Sequence, residues 1–443
     1  MSILTSGNDP LTPNGLIFVG ARNKNGTPVV GFEQAILNID MSIIPPDPYD
    51  PSTIPENSIR VKFTHGYTPT MGDSQRYLSD DIWDITKNSD DWDSLFLNNI
   101  DVLEVLGAKS STVTNMSRLL QNCTYLTNVE LFDTSNVTDM SFMFEGCTSL
   151  NAIPLFNTSK VIYMPYMFNG CTNLSYVPAF DTSKVKNMIY MFQNCTSLVT
   201  IPQLNYSALV NGSSMFRGCS SLSTVPSINM PVATRLNAIF YNCTSLDNVT
   251  ITNMDNVTDG EFMFSGCTNL KSFTISNTSS LYEINGMFSG CVSMVTASLF
   301  DTSTVNDARS MFSGCIALEN VPSYNFARAT NIMQMFTGCT SLVTPPSLRN
   351  LTNVTIAFSM FNNCISLRTV PLYNLDKVDN VQHMFSGCVN VESGMYALYN
   401  KLNNNTTPPT SYAYCFKDCG TNTATGQAEL QQIIDAGGQW WTK

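Results

Sequence analysis

The chain has 443 residues, 43% of them hydrophobic and only 13% charged. That is enough apolar surface to bury a large core, and too much for a chain disordered by composition. A net charge of −12 with a pI near 4.6 leaves no basic face for phosphate and argues against nucleic acid as a partner. No run of about 18 apolar residues occurs, so no membrane span is predicted.

In chain order, the opening "MSILTSGNDPLTPNG" lacks the basic start and apolar core of a secretory signal. The first cysteine is Cys123, so no early acylation motif is present. "GLIFVGA", a turn at Asn25-Gly26 and "TPVVGF" read as a β-hairpin. Residues 1–43 therefore form a small β attachment element that buries little core alone. Residues 44–57 are a Pro-rich linker. "IRVKF" reads as a strand within an N-terminal cap, residues 58–98, in which Trp92, Leu95 and Phe96 already follow the pattern of what comes next.

From there a repeat dominates. Ten cysteines from Cys123 to Cys339 stand 24 residues apart, followed by Cys364, Cys388, Cys415 and Cys419. Such a period marks a solenoid. In the unit at Cys171, Leu174, Val177 and Phe180 follow at offsets 3, 6 and 9 and read as a short strand. The corner "DTS" at 181–183 offers capping oxygens for a helix start. Val185, Met188, Met191 and Phe192 then repeat at i, i+3, i+6 and i+7, one apolar face of a short helix. The residue before each cysteine from Cys123 to Cys388 is Gly or Asn, for example Gly170, Asn194 and Gly218. These two tolerate the left-handed backbone of a helix C-terminal cap best. Pro154, Pro178, Pro202, Pro226, Pro322, Pro346 and Pro371 share offset 7. Proline cannot donate to a ladder, which predicts a thin sheet with few hydrogen bonds per rung.

The expected fold is α/β: a leucine-rich-repeat-type solenoid of about 13 rungs of 24 residues, with short parallel strands on one face and short helices on the other. At about 5 Å per rung it is on the order of 65 Å long. The solenoid spans 99–390 and a C-terminal cap 391–443. In that cap "ALYNKLNNN" reads as a loop, "QAELQQIIDAGG" as a closing helix, and Trp440 and Trp441 as a cover for the last rung.

The cysteines read as small apolar plugs. Neighbours on stacked rungs point the same way, whereas a disulfide needs facing side chains. Only His65 and His383 are available to support a zinc site. Free buried thiols imply folding in a reducing compartment. Cys415 and Cys419 stand i, i+4 on a predicted helix. The acidic "SDDIWDITKNSDDWD" lacks the spacing of a calcium loop. No Ser–His–Asp order, phosphate-cradling loop or paired carboxylate emerges, so no catalytic, metal or cofactor residue is assigned and the protein is read as not an enzyme. Offset 5 should face outward: Tyr176, Thr200, Thr224, Asn248, Ser272, Thr296, Asn320, Thr344 and Thr369 form an uncharged, hydrogen-bonding column suited to glycan or protein, or to solubility alone.

The unit "MF-x-[GN]-C-T-x-L" running to "DTS-x-V-x-x-M" over roughly 99–419 resembles the repeat of BspA-like leucine-rich-repeat surface proteins. The resemblance implies a bacterial surface protein, often an adhesin, or a gut-bacteriophage protein with similar repeats. "VPAFDTS" shortens the strand side relative to that family's usual unit. Without an export signal, the expectation is a non-enzymatic virion appendage of a bacteriophage. It would be anchored to other virion proteins through residues 1–57 and display the solenoid to a host-surface protein or glycan, as monomer or oligomer. The alternative is a bacterial cell-surface adhesin.

Overall fold

The computed structural model describes residues 47–440. The hairpin expected at 15–32, the start of the linker, and Trp441 lie outside the described residues. The chain divides into two units, Met1–Thr53 and Ile54–Lys443. In the first, Asp47 and Asp50 accept the N–H groups of Tyr49 and Ser52 in Asx turns, ahead of a 3-10 turn over Pro51–Thr53.

The second unit starts with an antiparallel sheet that turns into a stack. Strands β1 (Ser58–Phe63), β2 (Ser74–Tyr77), β3 (Ile82–Thr86), β4 (Val102–Lys109) and β5 (Asn128–Val129) are ordered β2-β3-β1-β4-β5. All pairs are antiparallel except β4–β5, where Val105 faces Val129 in parallel. Parallel growth begins there. Inside this sheet, Arg60 is fully buried and grips Asp84 with two bonds of 2.7 and 3.1 Å. Arg76 reaches the same carboxylate from the surface. A buried ion pair persists only when its charges are compensated this closely.

Along the stack, each side follows its own rule. On the strand side, Leu174, Val177 and Phe180 are buried while Ser175, Tyr176 and Ala179 are exposed. Burial at every third residue is the period of a polyproline-type extended chain, not the two-residue period of a strand. The two longest parallel strands of the stack beyond β4 lie in rungs where the proline is missing. Thr250 and Thr274 occupy offset 7 in β7 (Asn248–Thr252) and β8 (Ser272–Ile275), which pair in parallel with each other and with β6 (Ile228–Asn229). There burial alternates strictly, Phe273 and Ile275 in, Ser272 and Thr274 out. Elsewhere single bridges such as Thr200 to Thr224 and Thr296 to Asn320 suffice. The sparse ladder follows from the proline column.

The expected helix face is not helical. A helix needs i→i−4 bonds and right-handed torsions throughout. In the rung of Tyr163–Gly170, Tyr166 has φ 57° and Gly170 φ 75°. Met167, Asn169 and Cys171 N–H groups bond three residues back, to Met164, Tyr166 and Phe168. The N–H groups between them leave the rung altogether. Met164, Tyr166, Phe168 and Gly170 donate to Asn187, Ile189, Met191 and Gln193 of the next rung at 2.8–3.1 Å. The same one-way pattern runs from Trp92 to Gly387. This side is a ladder of stacked turns, in which four alternate N–H groups of each rung go forward and one at its start, as from Ile162 to Thr138, goes back.

The left-handed residue before each cysteine is present at every expected position, from Asn98 at φ 61° through Gly170 at 75° to Gly387 at 76°. It closes a turn rather than a helix. The corner residues do not cap helices either. Asp181 accepts the Ser183 N–H within an Asx turn. Thr182 is buried, and its hydroxyl donates to Asn205 C=O of the next rung while accepting that residue's N–H, both at 2.8 Å.

Between the two sides lies one continuous core. Its centre is a phenylalanine column from Phe144 to Phe416, with neighbouring rings 5.2–6.0 Å apart and nearly parallel. Offset parallel rings contribute beyond area burial alone. At the far end, "MYALYNKLN" is helix α1 (Met395–Asn403), not the expected loop. Its Met395, Leu398, Tyr399 and Leu402 are buried at helical spacing. Helix α2 (Ala424–Asp435) starts on Thr423, whose hydroxyl accepts the Gly426 N–H. Trp440 stacks on Tyr412 and Phe416 and closes the column.

Candidate interaction surface

The repeated cysteine is built for packing. All fourteen are buried and free. From Cys123 to Cys388, twelve thiols donate to a backbone carbonyl 27 or 28 residues earlier, Cys147 to Leu120 and the other eleven to a phenylalanine, as Cys171 does to Phe144 at 3.0 Å and Cys195 to Phe168 at 3.1 Å. Burial pushes the Cys219, Cys267 and Cys315 thiols up to about 12. No thiolate nucleophile is available at neutral pH. Cys415 and Cys419 sit in a turn around Asp418, φ 58°, rather than on a helix. Among the described residues no three His, Cys, Asp or Glu side chains are grouped to hold a metal ion, and no helix is long and apolar enough to cross a membrane.

All nine residues of the expected outward column are exposed: Tyr176, Thr200, Thr224, Asn248, Ser272, Thr296, Asn320, Thr344 and Thr369. The bridges Thr200–Thr224, Asn248–Ser272 and Thr296–Asn320 hold pairs of them in direct parallel register. Apolar side chains flank the column. Val199, Val295 and Val343 stand just before it, and Leu155, Leu299 and Leu372 three residues after it, all between 44 and 66% exposed. Of the charges beside the column, Lys271 pairs with Asp247 at 2.8 Å and Arg368 with Glu392 at 2.9 Å, while Glu319 is exposed. The Lys271 ammonium bond holds the Asp247 carboxyl below its ordinary range. A shallow hollow at the edge of this side is lined by Leu299, Asp301, Ser323, Asn325 and Arg349. The column is uncharged and hydrogen-bonding and its flanks are largely apolar with a few charges, a composition that suits contact with protein or sugar.

Two features of the turn side escape sequence reasoning. Phe142, Tyr166 and Tyr190 all adopt positive φ of 57–60°, uncommon for bulky residues. They stack at 4.7 Å ring to ring, with the Arg118 guanidinium over Phe142 at 5.1 Å. Their shared offset of 19 was the available signal, masked because other rungs carry Ser214, Ala238 or Gly286 there. Farther along, Asp259, Glu283 and Asp307 succeed one another on the bridge column. Burial raises the Asp259 and Glu283 carboxyls above their ordinary range, and for Glu283 the neighbouring Asp307 and Glu261 charges add to it.

Comparison with known families places the repeat. The model of the family described as Mycoplasma protein of unknown function, DUF285, matches residues 114–229 and 293–398. The model of the BspA type leucine rich repeat region matches 189–319 with six copies. Among solved structures, the chain is similar to a leucine-rich repeat protein of T. pallidum, at 22% identity over 43% of this chain and 83% of that one, TM-score 0.30. It is similar to a leucine-rich repeat protein of Bacteroides ovatus at 19%, covering 66% and 94%, TM-score 0.28. A leucine rich cell surface protein of Faecalibacterium prausnitzii matches at 17%, covering 74% and 88%, TM-score 0.29. No curated protein matches the chain.

Proposed function

Because the chain belongs to the family described as Mycoplasma protein of unknown function, DUF285, and carries BspA-type leucine-rich repeats, we propose that it is a non-enzymatic adhesion module. Its strand side binds a protein or glycan on a cell surface. One observation carries this reading: nine successive outward positions, Tyr176 to Thr369, are exposed and uncharged. A surface that only had to stay soluble would be expected to use charge there. The test replaces Thr200, Thr224 and Asn248 together with lysine and measures adhesion of the full chain to host cells. Adhesion falls at least tenfold while far-UV circular dichroism stays unchanged. Unchanged adhesion sinks the assignment of this side.

For the carrier, we favour a bacteriophage particle. Fourteen buried thiols with no disulfide suit folding in a reducing compartment, from which lysis releases a particle. In this reading residues 1–57 join the chain to other particle proteins. The other carrier is the bacterial cell surface, which the BspA-type repeat favours. Mass spectrometry of purified particles beside a cell-envelope fraction decides: absence from particles and presence in the envelope assigns the second.

A further inference from the structure

The one-way ladder has two unlike ends. Inside the stack, every backward-pointing carbonyl of the turn side meets an N–H of the preceding rung. At the first rung, Trp92, Ser94, Phe96 and Asn98 send their N–H groups forward to Asn115, Ser117, Leu119 and Gln121. The alternating carbonyls of Asp91, Asp93, Leu95 and Leu97 accept nothing among the described residues. The last rung is different, because Trp440 C=O takes the Phe416 N–H and its ring covers Tyr412. The Tyr412, Tyr414 and Asp418 N–H groups of that rung meet no backbone acceptor among the described residues, so the far end is capped at its centre and the near end is open.

Over residues 91–97 the open end presents acceptors only. Residues 90–101 also carry Asp90, Asp91, Asp93 and Asp101 and no basic residue. Arg118 of the next rung pairs with Asp93 at 3.6 Å and Thr64 donates to Asp101 at 2.5 Å, which leaves Asp90 and Asp91 without a basic partner among the described residues. The aligned peptide dipoles of the ladder point their carbonyl ends the same way, adding to the negative potential as at a helix C-terminus. Beside the carbonyls runs a groove lined by Tyr67, Met71, Leu95, Leu97 and Ile100, with Leu97 and Ile100 exposed by 38 and 51%.

We infer that this edge is a second interaction surface, which takes a cationic segment of another polypeptide folded in the same turns. The acceptor row selects its occupant. Inside the stack the donor is a segment folded in the same turns, whose N–H groups at every second residue, as at Trp92, Ser94, Phe96 and Asn98, meet alternate carbonyls of the next rung, the arrangement that fits the free carbonyls at 91, 93, 95 and 97. Open edges are templates for such additions. Arginine or lysine between the bonded residues meets the aspartates, and their aliphatic stems lie over Leu97 and Ile100. The surface is separate from the strand side proposed for adhesion.

The test titrates the full chain at physiological salt with an alternating Arg-Gly octapeptide. A second octapeptide carries N-methylglycine in place of glycine, which keeps every charge and removes alternate N–H donors. The first binds, the second at least tenfold more weakly. Asp90→Asn with Asp91→Asn weakens the first peptide, whereas Asp259→Asn with Glu283→Gln, in the other acidic column, leaves it unchanged. Equal binding of the two peptides overturns the inference, since charge alone would then account for it. So does dependence on Asp259 and Glu283, absence of binding, or stoichiometric calcium binding that displaces the peptide.

Discussion

Replacing glycine by alanine at Gly146 and at Gly170 should have unequal costs, although the two backbones are nearly the same. Their φ values are 72° and 75°, so both variants carry the left-handed penalty of about 1–2 kcal/mol. The surroundings differ. A Cβ on Gly170 meets nothing closer than Gly146 Cα at 3.8 Å, whereas one on Gly146 falls 2.2 Å from Asn122 Oδ1. Asn122 must then swing away, breaking its 2.7 Å bond to Asn98. A hydrogen bond contributes about 0.5–1.5 kcal/mol and an off-rotamer side chain costs about as much again. Gly170→Ala is therefore expected to cost about 1–2 kcal/mol and Gly146→Ala about 2–5. Asn122→Gly combined with Gly146→Ala should recover at least about 1 kcal/mol of the sum of the single effects. Denaturant unfolding followed by circular dichroism, with slopes compared across variants, reads all four proteins. Equal losses for Gly146→Ala and Gly170→Ala, or strict additivity in the double variant, would refute the reasoning. The same steric rule accounts for Gly218, Gly266 and Gly387, which follow Asn194, Asn242 and Asn363 one rung later.

Further outcomes follow from the core and its charges. A thiol reagent should find none of the fourteen cysteines in the folded chain and all of them in denaturant, and rapid labelling of the native protein would contradict the buried column. Cys219→Ala should cost about 1–3 kcal/mol through the lost bond to Phe192 C=O and the small cavity, while Cys219→Val should fail by overpacking. Asp259 and Glu283 titrate above their ordinary range, so their contribution to stability is present below that range and is lost as pH rises through the raised values. Glu283→Gln should raise the denaturant midpoint at pH 7 and leave it unchanged in acid, and a lowered midpoint at pH 7 would reverse the sign.

Local chemistry made much of the rung legible. The 24-residue period, the buried columns at Leu174, Val177, Met191 and Phe192, and the left-handed Gly or Asn before each cysteine from Cys123 to Cys388 all rest on side-chain size or backbone freedom, which sequence records directly. The helix was misread because a stacked turn and a helix bury the same i, i+3, i+7 residues. What separates them is the positive φ at Arg118, Phe142, Tyr166 and Tyr190, and no common residue type marks that position. Those torsions are held by N–H groups bonded 23 residues ahead, and a single rung cannot specify a bond that exists only once its neighbour is stacked. The strand side was read too regularly for a related reason. Offsets 3, 6 and 9 already carried a period of three, and the proline column agreed with it. The outward column was legible because it needed only the inward residues to be known. The open carbonyl edge was not, since it depends on the direction of the whole ladder.

Hydroxyl-radical footprinting of the full chain, free and bound to host cells, tests the assignment of the adhesive side most directly. Tyr176, Leu155 and Leu299 on the strand side are 59, 57 and 66% exposed, and Tyr163 and Tyr282 on the turn side are each 47% exposed, so every one of them reports. Binding is expected to protect Tyr176, Leu155 and Leu299 and to leave Tyr163 and Tyr282 oxidised as in the free chain. Protection of Tyr163 and Tyr282 with Tyr176 unchanged would place adhesion on the stacked turns and contradict the account.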